Sequence, residues 1–107
     1  MADFDLGNLM QAAQRMQQEM ARVQGELAQK RVEATAGGGM VTATVSGELE
    51  LVGIKIDASV VDPKDVGMLQ DLVRVAVNQA IAKAKAMQQS EMAKLTGGMN
   101  IPGMPTL

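Results

Sequence analysis

The chain contains no histidine and no cysteine. That removes thiol and imidazole nucleophiles, the commonest general base and the usual zinc ligand sets together. What remains for acid–base or metal chemistry is Asp57, Asp62 and Asp65, close enough in sequence to share a loop and hold a magnesium ion. Paired carboxylates serve as acid and base in glycosidases, but across a deep cleft. A loop-poor chain of 107 residues is too small to build one. The plainer reading assigns Asp57 to a strand end and Asp62 to a helix cap. Gly37-Gly38-Gly39 invites comparison with a phosphate loop, which needs a strand before it, a helix after it and usually a lysine at the helix start. Here Met40-Val41 lead into a β-patterned segment, so a hairpin connection is expected instead. No catalytic residue, metal site, cofactor or small-molecule substrate is expected.

The cationic side chains are the open candidates. Arg15 and Arg22 are seven residues apart, which puts them on one face of a helix. Lys83, Lys85 and Lys94 follow in a second helical stretch, where only Glu91 offsets them. Acids gather elsewhere, as Asp3 and Asp5, Glu48 and Glu50, and Asp62, Asp65 and Asp71. Ten basic against twelve acidic residues give a formal net charge of -2. That balance argues against a simple electrostatic nucleic-acid binder, although the two signs can occupy different faces. Phe4 is the single aromatic residue, so single strands find no stacking platform. Phosphate contact with duplex DNA, carrying little sequence information, stays open beside the bland reading of a solvated helix surface.

The elements that must position these groups are legible from periodicity. Leu6, Leu9, Ala13, Met16, Met20, Val23 and Leu27 are spaced alternately three and four residues apart, the seam of a coiled coil. Asp5 caps the start, and helix 1 is expected over residues 6–30, with Glu26 placed to pair with Lys30 one turn on. One small core is not expected to cover such a stripe from end to end, so it points to a partner helix, from this chain or a second copy. Leu9, Met16, Met20, Val23 and Leu27 are the candidate interface residues for a homodimer.

The centre changes period. Strands are expected over 32–36, 40–46 and 49–57, joined by glycine turns into a three-stranded antiparallel meander. Asp62-Pro63 signals the start of a second long helix, 63–95, whose wide apolar face suits packing on the sheet. Residues 1–96 form one α+β domain, and 97–107, with Pro102 and Pro105, read as a flexible tail. Ten methionines and the aliphatics must build the core. No leader or membrane-spanning run is evident, so a soluble protein of the cytoplasm is expected.

The order helix, meander, helix carries several local motifs. They are Leu6-Gly7-Asn8-Leu9-Met10, Gly39-Met40-Val41 leading to Val45-Ser46-Gly47, and Ile56-Asp57-Ala58-Ser59-Val60. Met68-Leu69-Gln70-Asp71-Leu72-Val73 comes next, with Ala76, Asn78 and Ala80, and then the tail from Gly97 to Met104. Together they resemble the YbaB/EbfC family of bacterial nucleoid-associated proteins over nearly the whole chain. Ala58 stands where many relatives carry proline. The resemblance implies a homodimer whose central strands associate, with helical arms projecting like tweezers. It further implies duplex DNA binding of limited sequence preference, and a nucleoid role in chromosome organisation and gene regulation. It supplies no base-reading motif, so Arg15, Arg22, Lys83, Lys85 and Lys94 are DNA-contact candidates on charge position alone. The rival from another class is a prefoldin-like chaperone or adaptor, whose paired helices grip clients with apolar tips.

Overall fold

The computed structural model describes residues 5–97. Its elements run α1 (Leu6–Gln29), β1 (Arg31–Ala36), β2 (Val41–Ser46), β3 (Leu51–Ile56), a short 3-10 turn (Ala58–Val60) and α2 (Val66–Gly97). The sheet is antiparallel in the order β1-β2-β3, the expected meander. The radius of gyration is 20.8 Å, against about 13 Å for a compact chain of this length. The molecule is accordingly elongated, 78 × 26 × 16 Å.

Each boundary has a local cause. Asp5 Oδ1 accepts from the amides of Gly7 (3.0 Å) and Asn8 (3.3 Å), satisfying donors that the first turn of α1 leaves unpaired. Lys30 is extended and leads straight into β1. Gly37, Gly38 and Gly39 all take positive φ (64°, 67° and 95°), a run that side-chain-bearing residues would resist. It makes the expected β1–β2 hairpin rather than a phosphate loop. Leu49, expected to open the third strand, instead sits at φ 67° in the β2–β3 turn, and β3 begins at Leu51. The start of α2 also differs from expectation. Asp62 closes a turn, accepting from the Lys64 amide at 2.9 Å, and Asp65 caps the helix through the Met68 amide at 3.2 Å. The helix thus begins at Val66 and not at Pro63. It continues to Gly97, two residues past the expected end; the tail beyond it lies outside the described residues.

The core lies between α2 and two of the three strands. Ala34, Ala36, Val41, Ala43 and Val45 are buried on one sheet face, opposite Ala76, Ala80 and Ala84 of α2. Small side chains on both sides let helix and sheet approach closely. Leu69, Leu72, Val73, Val77 and Ile81 flank that line, half-buried. The helix covers β1 and β2 and leaves β3 beside it. By register, Ile54 and Ile56 lie opposite Ala43 and Val41, hence on the same face as the core. Yet Leu51, Val52, Ile54 and Ile56 are 40–46% exposed. Among the described residues no helix is long and apolar enough to cross a membrane.

Candidate functional site

The first two-thirds of α1 stand away from this core. Leu6, Leu9 and Met10 are more than half exposed, and Met20 is open too. Met16 is half-buried. Val23 and Leu27, by contrast, are only 5% exposed, because α1 there meets the end of α2 and the end of β2. For these two residues the partner helix is the chain's own α2, the first of the two sources expected for the stripe. The chain itself covers that end of the seam.

A tie between the helices holds this geometry. Lys30 Nζ donates to Glu91 Oε1 at 2.7 Å, and the Glu91 side chain is only 15% exposed. That bond holds the Glu91 carboxyl below its ordinary value. Glu26, the expected partner of Lys30, is bonded instead to Arg22 (2.8 Å), whose guanidinium also donates to Glu19 (2.6 Å). The two carboxylates raise the Arg22 pKa further above its ordinary range. Lys30 is the structural cation that sequence reasoning missed, since its true partner lies 61 residues away.

The five cationic candidates separate into distinct situations. Arg15, Arg22 and Lys94 line one cleft between α1 and the end of α2, of about 600 Å³, with Met16, Val23 and Leu95 at its apolar floor. Lys94 sits 3.5 Å from Glu91. Lys83 lies apart from that cleft and donates to the backbone carbonyl of Glu33 at 2.9 Å, covering part of edge strand β1. Lys85 is exposed on α2. Of the five, Arg15 and Lys85 alone have neither an ion pair nor a side-chain hydrogen bond among the described residues, a state that exposed Lys55 of β3 and Lys64 share with them.

The acids have local duties. Asp57 Oδ1 accepts from the Ser59 amide at 2.8 Å, capping the 3-10 turn, and hydrogen bonding by Ser59 lowers the Asp57 pKa. Asp62 and Asp65 close the turn and cap described above. Among the described residues no group of three or more acids is arranged to hold a metal.

Comparison with known proteins bears on the fold and the family. A crystal structure of an uncharacterized protein from Helicobacter pylori has the same fold, with a TM-score of 0.76. It is 22% identical in sequence, and the match covers 87% of this chain and 98% of that one. A nucleoid-associated protein of Thermoanaerobacter pseudethanolicus is 56% identical over 101 residues, 94% of this chain and 91% of its own length. Another, from Caldanaerobacter subterraneus, is 54% identical over the same shares of the two chains. Residues 1–99 match the family described as YbaB/EbfC DNA-binding. With a match over nearly its whole length and relatives more than half identical, this chain belongs to the YbaB/EbfC DNA-binding family.

Proposed function

We propose that this chain is a nucleoid-associated protein that binds duplex DNA as a homodimer with little sequence specificity. In that role it contributes to nucleoid organisation and gene regulation in the bacterial cytoplasm. The observation that carries this reading is the 56% identity, across nearly the whole chain, to a protein named nucleoid-associated. The charge geometry supports the mode of contact. Arg15 and Lys85 stand on the long helices without acidic partners among the described residues, suited to phosphates rather than base edges. Arg22, Lys83 and Lys94 remain contact candidates, but each would have to share or exchange a bond it already makes.

In this reading the second copy joins on the β3 side. Edge strand β1 has a carbonyl occupied by Lys83, whereas β3 offers an uncovered row of Leu51, Ile54 and Ile56. An apolar edge of this kind is a template for strand pairing, and a second copy that covers it removes the liability. Of the α1 candidates, Leu9, Met16 and Met20 retain exposure that could add to such a contact.

The chaperone reading keeps one favourable observation, the exposed Leu6, Leu9 and Met10 at the far end of α1. A titration of random-sequence duplex DNA against the protein, beside an aggregation-suppression assay, separates the two. The DNA reading expects binding whose affinity falls as salt rises, with a similar affinity for unrelated sequences. Suppressed aggregation without DNA binding at low salt would reject it.

A further inference from the structure

We propose that the cleft between α1 and the end of α2 is a docking groove for this chain's own residues 98–107. The two helices run antiparallel here. Lys30 meets Glu91, while Lys94 and Leu95 share the cleft with residues from Ala12 to Glu26 of α1. Helix α2 therefore ends, at Gly97, beside a floor of Met16, Val23 and Leu95. Beyond that point α1 continues without a packed neighbour among the described residues, with Leu6, Leu9 and Met10 exposed. The segment after Gly97 thus departs from the place where an unpaired apolar stripe begins.

The chemistry of the segment matches the stripe. Gly98-Met99-Asn100-Ile101-Pro102-Gly103-Met104-Pro105-Thr106-Leu107 has no charged side chain and carries Met99, Ile101, Met104 and Leu107. Pro102 and Pro105 favour an extended course over helix. At ~3.1 Å per residue, ten residues reach about 31 Å. With Lys30 opposite Glu91, Gly97 lies abreast of Gln24, and the stripe from there back to Leu6 needs about 27 Å at ~1.5 Å per residue, within that reach. The rim also suits an uncharged occupant. Arg22 is satisfied by Glu19 and Glu26, and Glu91 by Lys30, so an apolar segment can enter without stripping these charges of their partners, while the exposed Arg15 and Lys94, which also line the cleft, keep their charged ends in water above apolar stems. Tethering favours this segment over a free partner, since a short linker gives it a high effective concentration.

The absence of cysteine makes the test direct, because Thr106→Cys in the full chain provides one attachment point for a nitroxide. In one sample, isotopically enriched labelled chain is diluted into excess unenriched, unlabelled chain. In the other, the nitroxide is on the unenriched chain and the enriched chain carries none. The expected result is loss of more than half the amide intensity for residues 6–16 in the first sample only. Introducing Ile101→Asn with Met104→Asn should restore that intensity. Loss confined to the second sample would put the segment on another copy and overturn the proposal. So would loss in neither sample, or loss that the double substitution leaves unchanged.

Discussion

At Gly47 the backbone amide donates to the Lys30 carbonyl at 3.0 Å and the carbonyl accepts from Gln88 Nε2 at 2.6 Å. A Cβ there would collide with the backbone of Leu27. The turn after β2 is thus locked between the end of α1 and the face of α2. Gly47→Ala should destabilise the fold by about 1–3 kcal/mol through overpacking, read as a lower midpoint in urea unfolding. Lys85 and Arg15 are the residues on which DNA binding is best tested. Lys85→Ala and Arg15→Ala should each weaken binding to unrelated duplexes alike. Each should also flatten the dependence of log affinity on log salt by about one unit for every phosphate no longer neutralised, measured by fluorescence anisotropy. Glu48→Ala and Glu50→Ala, on the turn before β3, should leave that slope unchanged.

Between elements, the Lys30–Glu91 bond is the tie that spans the two helices. A carboxyl held below its ordinary value of 4.5 stabilises the fold above the unfolded-state value, and loses that contribution as pH falls through the folded-state value. The melting temperature should therefore fall on the acid side of 4.5. Glu91→Gln should melt lower at neutral pH and show a shallower acid-side decline, both followed by circular dichroism. Strand β3 supplies the other test at this scale. Ile54→Lys with Ile56→Lys leaves the α2 core untouched, and each chain should then sediment at 11.3 kDa. The unsubstituted protein should sediment at twice that mass. An unchanged mass after folding is verified would remove β3 from the interface.

For the whole molecule, elongation matters because it sets how many phosphates one particle can span. In the proposed dimer, two copies joined at their strand edges would present two sets of helices, and the second contact would become intramolecular once the first is made. The β3 double variant should consequently lose more DNA affinity than either single arm substitution, while its arms stay folded by circular dichroism. Equal affinity of the single chain and the wild type would show that one set of helices suffices.

The sequence determined what depends on near neighbours. The three-and-four spacing of α1, its Asp5 cap, the alternation of Val41, Ala43 and Val45, and the glycine hairpin all arise from local periodicity and turn chemistry. The same locality explains the misplaced start of α2, where Asp62-Pro63 and Asp65 offer competing caps and only the backbone path chooses between them. The candidate cations were legible as charges, but their availability was not. Arg22 is spoken for by Glu19 and Glu26 within its own helix, Lys83 by a carbonyl of β1, and Lys30 by Glu91. Nor does periodicity say which part of a continuous apolar stripe is covered. Val23 and Leu27 are buried while Leu6 and Leu9 are open because α2, packed along β1 and β2, reaches only one end of α1. That reach is a property of how long elements cross in space, and only the tertiary structure decides it.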